Sequence, residues 1–218
     1  MQIGKHNIGQ DSPVLIIAEL SANHNGSLET AIETVRAAKR AGADAIKLQT
    51  YTADTITIDS RKPDFMIQGT IWEGRNLYDL YSEAYTPWEW HERLMEVARE
   101  EGLECFSSPF DPTAVEFLEG LSVPAYKVAS FEITDIPLIE LIASKGKPII
   151  ISTGIATAED ITWALEACHR MGNTDIALLK CTSSYPAPIE EANLVMIRDF
   201  AERYRVTVGL SDHTMGAT

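Results

Sequence analysis

Short apolar runs recur along this chain at intervals of about 25 to 30 residues, each followed by a helix-like stretch, and that cadence restricts the fold more than any other feature. The runs cover residues 14–19, 45–49, 103–107, 125–129, 148–152, 176–181 and 206–210. Each is too short for a core helix and rich in β-formers, and together they read as buried parallel strands. The intervening stretches carry helix punctuation. Ser27 caps a helix whose inner face is Ala31, Val35 and Ala38, and Gly42 ends it. Thr86-Pro87-Trp88-Glu89 supplies an N-cap, a first-turn proline and an acid ahead of Trp90, Leu94, Val97 and Ala98, with Gly102 beyond. Further helices are expected over 112–118, 135–144 and 193–204, and one capped by Thr157 with Ile161, Ala164, Leu165 and Cys168 inward. The expectation is an α/β chain, one domain over 1–218 forming an incomplete (β/α)8 TIM barrel of about seven strands, with a short N-terminal hairpin within 1–10. A doubly wound sheet is the alternative, lowered by the lack of a GxGxxG turn after the first strand.

One stretch, from Tyr51 to Tyr85, breaks the rhythm. It is mixed in charge, holds Trp72, Tyr78, Tyr81 and the pair Arg61-Lys62, and reads as a long loop covering a site, with a passive insertion as the alternative. Composition narrows the partners. Eighteen Lys and Arg against 32 Asp and Glu give a net charge of −14, which repels nucleic acid and acidic membranes. No apolar run approaches the roughly 18 residues of a membrane span and no secretory signal leads the chain, so the expectation is a soluble, cytoplasmic protein. Cys105, Cys168 and Cys181 have no metal spacing and are expected to be reduced and structural.

The runs do not end as buried strands should. Polar residues gather at their carboxyl ends, where a barrel carries its active site: Glu19; Lys47 and Gln49; Ser107 and Ser108; Lys127, Ser130 and Glu132; Ser152 and Thr153; Thr182, Ser183 and Tyr185; Ser211, Asp212 and His213. A lysine inside a buried strand is costly without a partner. Two lysines aimed into one mouth repel unless they share an anion. A small ligand carrying phosphate and carboxylate fits; salt bridges to Glu19 and Glu132 are the structural alternative. His213, two residues past Ser211, is either a metal ligand or a hydrogen-bonded core residue. His24 is the other histidine placed to share the mouth.

These segments together resemble the sialic acid synthase family, which condenses phosphoenolpyruvate with an acylamino sugar. The resemblance lies in Ala18-Glu19 with Asn23-His24-Asn25-Gly26, Ile46-Lys47-Leu48-Gln49-Thr50, Ser107-Ser108-Pro109-Phe110, Tyr126-Lys127-Val128-Ala129-Ser130-Phe131-Glu132, the stretch from Pro148 to Gly154, Cys181-Thr182-Ser183-Ser184-Tyr185-Pro186 and Gly209-Leu210-Ser211-Asp212-His213-Thr214. Asn76-Leu77-Tyr78-Asp79-Leu80-Tyr81, Tyr85-Thr86-Pro87-Trp88-Glu89-Trp90-His91 and Lys180-Cys181-Thr182-Ser183-Ser184-Tyr185-Pro186 look most like the pseudaminic acid synthase branch. The resemblance implies that Lys47, Lys127, Ser108, Ser130, Ser152, Ser183 and Ser211 hold phosphoenolpyruvate. It further implies that Gln49, Glu132 and Tyr185 contact the sugar and that Glu19 handles a proton. His213 would be one of two histidines on a divalent metal, typically manganese, with magnesium or cobalt as alternatives; that metal would polarise the sugar aldehyde. Carbon 3 of phosphoenolpyruvate would attack the aldehyde, water would add at carbon 2, and phosphate would leave with C–O cleavage. Ser108 and Ser183 stand where the family often has Thr and Asn, and both can still bond an anion.

The family's second metal histidine, an eighth strand and a small antifreeze-like domain serving a homodimer would fall beyond Thr218, so the expectation is a chain that lacks them and has little synthase activity alone. Neuraminic or legionaminic acid synthases use the same chemistry on other sugars. A non-catalytic piece that only binds phosphoenolpyruvate is a further alternative. A 3-deoxy-ulosonate phosphate synthase would need a second basic cluster, for which Arg61, Lys62 and Arg75 are the candidates.

Overall fold

The computed structural model describes residues 1–69 and 72–216. The chain opens with the expected antiparallel hairpin, β1 (Gln2–Ile3) and β2 (His6–Asn7), turned at Gly4 with φ +53°. The rest divides into two compact units, Leu15–Val123 and Pro124–Thr218, the hairpin belonging with the second.

The first unit is built on three parallel strands, β3 (Ile17–Glu19), β4 (Ala45–Thr50) and β5 (Glu104–Pro109), each paired with its neighbour in sequence. Helix α1 (Leu28–Arg40) starts where Ser27 Oγ accepts from the Thr30 amide and buries Ala31 and Val35. Ala38 is only half-buried. Gly42 takes φ +95° just past its end, a conformation open to glycine. Ile46, Leu48 and Phe106 are fully buried, each such side chain contributing roughly 1.5–3 kcal/mol. The stretch expected as one long loop is instead folded. Helix α2 (Ala53–Ile56), a 3-10 turn (Pro63–Phe65), a bridge between Met66 and Asn76, and helix α3 (Leu77–Ala84) occupy it. Asn76 organises this segment, its Oδ1 accepting from the Tyr78 amide and its Nδ2 donating to the Ser60 carbonyl at 2.7 Å. Thr70 and Ile71, part of the same stretch, lie outside the described residues.

Two further expectations fail here. Thr86 does not cap a helix: its hydroxyl meets His24 Nε2 at 3.3 Å, because a buried imidazole needs a partner. The chain passes through a 3-10 turn (Trp88–Trp90) into α4 (His91–Glu100), whose buried face is His91, Leu94, Met95, Val97 and Ala98, with Trp90 only half-buried. Helix α5 (Pro112–Gly120) follows β5, with Asp111 Oδ1 as its N-cap acceptor.

In the second unit β6 (Tyr126–Val128), β7 (Ile149–Ser152), β8 (Ile176–Cys181) and β9 (Thr207–Ser211) pair in parallel, again in sequence order. The strand expected over 125–129 is shorter than that, since the chain turns at Ser130 into a 3-10 segment (Phe131–Thr134) that carries Glu132. Asp135 then caps α6 (Ile136–Ser144). Thr157 and Asp160 form a reciprocal capping box at α7 (Ala158–Arg170), which buries Ile161, Ala164, Leu165 and Cys168. Helix α8 (Val195–Tyr204) starts two residues later than expected, after a 3-10 turn (Ile189–Glu191). Among the described residues seven parallel strands thus alternate with helices, every one pairing with its neighbour in sequence within its unit. That order is the barrel's, and a doubly wound sheet would reverse it.

Candidate active site

In the first unit the polar residues centre on Lys47. The register places Glu19 opposite Lys47 and Ser108 opposite Gln49. The Lys47 ammonium, on a residue only 6% exposed, pairs with Glu19 Oε2 at 2.8 Å and donates to Ser108 Oγ at 3.2 Å. The Glu19 side chain is 46% exposed. Here the structural alternative for Glu19 is realised: it is the counter-ion that lets a lysine sit inside a buried strand. Gln49, two residues on, shares the face of Lys47 and is half-buried.

Ser107 points the other way from Ser108 and belongs to a different group. Its hydroxyl lies 2.7 Å from Thr50 Oγ1, which lies 2.9 Å from His91 Nε2. His91 Nδ1 faces the Pro87 carbonyl at 3.3 Å. A carbonyl only accepts, so Nδ1 carries the ring proton, Thr50 donates to Nε2, and Ser107 donates to Thr50. Burial, outweighing the nearby carbonyls, brings the His91 pKa down to about 4, which keeps the ring neutral. This relay buttresses the ends of β4 and β5. The sequence showed His91 only as a helical residue, and nothing in its spacing marks it. His24 is likewise committed to the protein. Its Nδ1 accepts from the Gly26 amide at 3.1 Å, its Nε2 meets Thr86, its edge contacts Trp90, and burial lowers its pKa. Both its ring nitrogens are thus engaged within the protein.

In the second unit Lys127, 5% exposed, donates to Ser152 Oγ at 2.6 Å and to the Val128 carbonyl at 2.8 Å. Ser130 accepts from the Gly154 amide at 3.1 Å and donates to Cys181 Sγ at 3.5 Å. Gly154 is required at this contact: a Cβ there would overlap the Ser183 hydroxyl and lie 2.9 Å from Ser130 Oγ and 3.2 Å from Cys181 Sγ. Glu132 Oε2 is buried without a hydrogen-bond partner. Burial raises its pKa, against the opposing pull of a backbone bond and of the Lys127 charge. It is a carboxyl oxygen placed to receive a donor.

His213 lies past the end of β9, and its direction is set by a bond rather than by the pleat. Its Nδ1 donates to the Thr182 carbonyl at 2.9 Å, which leaves Nε2 as the acceptor facing the Tyr185 hydroxyl at 3.3 Å. The two rings stack at 4.2 Å. Cys181 Sγ sits 3.9 Å from His213 Nδ1 and 3.9 Å from Ser183 Oγ. Burial alone would push this thiol up, but its hydrogen bonds with His213, Ser130 and Ser183 and the pull of the nearby imidazole bring it down to about 7. All three cysteines are free, as expected, but Cys181 is the hub of this strand end rather than mere packing. Cys105 and Cys168 are the structural pair, their thiols pushed up to about 12 by burial. Ser211, half-buried, lies opposite Cys181 in register. Asp212 accepts from the amide and hydroxyl of Thr214, which lowers its pKa, and so serves the turn.

An imidazole whose Nδ1 is tied to a carbonyl has the orientation of a metal ligand. Among the described residues, however, no three His, Cys, Asp or Glu side chains come together as a metal-binding group, so these residues do not complete a metal site. Of the candidate second basic cluster, Arg61 pairs with Asp59 and Asp79, and Arg75 with Glu83. No helix among the described residues is long and apolar enough to cross a membrane.

Comparison with known proteins gives a consistent picture. The NeuB family profile matches residues 34–218. The pseudaminic acid synthase of Campylobacter jejuni is 53% identical over 216 residues, which are 99% of this chain and 62% of that protein. The pseudaminic acid synthase of Helicobacter pylori is 52% identical over 205 residues, 94% of this chain and 60% of that one. The crystal structure of N-acetylneuraminic acid synthetase from Leptospira borgpetersenii superposes with a TM-score of 0.87 at 30% identity, covering 99% of this chain and 70% of the other. The chain therefore spans 60–62% of the length of these two curated relatives.

Proposed function

The chain belongs to the NeuB family, the sialic acid synthases expected from its motifs, and from that premise we propose that it carries the strand-end machinery of a pseudaminic acid synthase. The reaction joins phosphoenolpyruvate to 2,4-diacetamido-2,4,6-trideoxy-altrose and releases phosphate. The observation that carries this reading is the identity of 52–53% with two pseudaminic acid synthases over nearly the whole chain.

The geometry supports it at the level of chemistry. Each unit presents a buried lysine at a strand end, set against hydroxyls, and such groups bind anionic oxygens through charge-assisted bonds. Lys47 with Ser108, and Lys127 with Ser130, Ser152, Ser183 and Ser211, are assigned to the phosphate and carboxylate of phosphoenolpyruvate. Gln49, Glu132 and Tyr185 are assigned to the sugar. Glu19, the exposed member of its ion pair, is assigned to proton handling. A divalent cation, manganese or in its place magnesium or cobalt, belongs to the same proposal, with His213 as a contributing ligand. So do a cytoplasmic location and a homodimer of the full-length protein.

The test is turnover by the full-length protein with phosphoenolpyruvate and each of three sugars in turn. Phosphate release with the 2,4-diacetamido-2,4,6-trideoxy-altrose is expected. With bridging-18O phosphoenolpyruvate the label is expected in phosphate, as C–O cleavage requires. Turnover of N-acetylmannosamine or the legionaminic precursor alone would overturn the assignment.

A further inference from the structure

Lys180 is a third buried lysine on a barrel strand, and the reaction above does not use it. It is 6% exposed and precedes Cys181 on β8, so the pleat turns it away from the face that Cys181 shares with Ser130 and Ser183. Its ammonium donates to Thr182 Oγ1 at 2.6 Å and to the Glu191 carbonyl at 3.1 Å, and Thr182 Oγ1 in turn donates to the same carbonyl at 3.2 Å. No ion pair of Lys180 is found among the described residues. Burying a cation against neutral oxygens costs more than burying a methionine of similar length, so packing alone does not explain a lysine here.

The consequence of the clasp lies one bond further. The residue that Lys180 grips through its side chain, Thr182, offers its backbone carbonyl to His213 Nδ1 at 2.9 Å. That bond fixes which ring nitrogen holds the proton and turns Nε2 toward the Tyr185 hydroxyl at 3.3 Å. The backbone of His213 closes the loop, its carbonyl accepting from the Ala187 amide at 2.8 Å. We propose that Lys180 is a positioning residue: by pinning Thr182 and the Ile189–Glu191 turn, it sets the tautomer and the direction of the His213 imidazole and, through it, of Tyr185. Outer partners of this kind hold an imidazole's geometry without touching substrate. The functional weight of the inference rests on the reading that His213 and Tyr185 serve the active site; the structural claim does not.

The test uses the full-length protein with Lys180→Met, Lys180→Arg and Thr182→Val. Nitrogen NMR of the histidines, recorded with a chelator present so that the protein's own bonds set the tautomer, is expected to show His213 protonated at Nδ1 in the parent. In Lys180→Met and Thr182→Val it is expected to become a mixture of tautomers, with Lys180→Arg restoring the parent signal. The ratio kcat/KM for the sugar is expected to fall roughly 10- to 100-fold in the first two variants, with most of it regained in Lys180→Arg. An unchanged His213 tautomer in both Lys180→Met and Thr182→Val would overturn the proposal; should Lys180→Met lose its cooperative thermal transition, Thr182→Val decides alone. A parent protein inactive with every sugar would sink the functional reading, while the NMR result would still decide the role of Lys180.

Discussion

The two strand ends solve one problem, a lysine in a buried parallel strand, by different means. Lys47 is charge-compensated by Glu19 at 2.8 Å, and the ends of β4 and β5 are held from behind by the Ser107–Thr50–His91 relay. Lys127 is held by the Ser152 hydroxyl and a strand carbonyl, and its surroundings are tied together by Gly154, Ser130 and Cys181. The first arrangement stores its anion in the protein, and on the proposed function that anion gives way to the ligand. The second surrounds its lysine with hydroxyls and leaves one buried carboxyl oxygen, Glu132 Oε2, without a hydrogen-bond partner. The difference predicts unequal responses to the same substitution.

The largest effect is expected for Lys127→Met, a loss of about 10²- to 10³-fold in kcat/KM, the scale for removing one electrostatic donor. Lys47→Met is also expected to be severe, but for a second reason: it leaves the Glu19 carboxylate facing the ligand. Adding Glu19→Gln to Lys47→Met should therefore recover phosphoenolpyruvate affinity, with a coupling of about 0.5–3 kcal/mol by double-mutant cycle. Additive losses would break the contrast between the two ends.

Next in size is a pH effect of His91, in the first unit. His91 is neutral in the fold with a pKa of about 4, against about 6.5 unfolded. The unfolded chain therefore binds the extra proton between those values, and stability falls as pH drops from 6.5 toward 4, by up to about 3 kcal/mol. Denaturant titrations across this window should show the slope in the parent and a clearly shallower one in His91→Gln, the remainder coming from His24. A third substitution probes the other end. Gly154→Ala should cost about 1–3 kcal/mol, because its Cβ has nowhere to go without moving Ser183, Ser130 and Cys181; an unchanged denaturation midpoint would refute the close contact. The smallest effect is expected at Arg75→Ala, whose exposed pair with Glu83 lies in the range of 0–1 kcal/mol. Its kcat/KM should stay within about twofold, and a larger loss would revive the idea of a second anion cluster.

Much of this was legible in the sequence, and what was not has identifiable causes. The strands showed because parallel strands buried on both faces read as continuous apolar runs. The two lysines showed because they violate that rule, and Ser27 and Thr157 announced their helices through local capping chemistry that tertiary contacts leave undisturbed. The segment after Tyr51 was misread because its helices, Ala53–Ile56 and Leu77–Ala84, are too short to display a period. Thr86 was misassigned because the cap pattern is local, whereas the demand of a buried His24 reaches it from 62 residues away in sequence. The same distance effect hid the relay through His91 and the hub at Cys181. Both are made by side chains whose partners lie on other strands, and no spacing along the chain records them.

The most direct measurement is calorimetric titration of phosphoenolpyruvate into the full-length protein and its Lys47→Met and Lys127→Met variants. Saturable binding in the parent, weakened at least about tenfold in each variant, the scale of one charge-assisted bond, is the predicted result. Phosphoenolpyruvate affinity that survives both substitutions unchanged would contradict it.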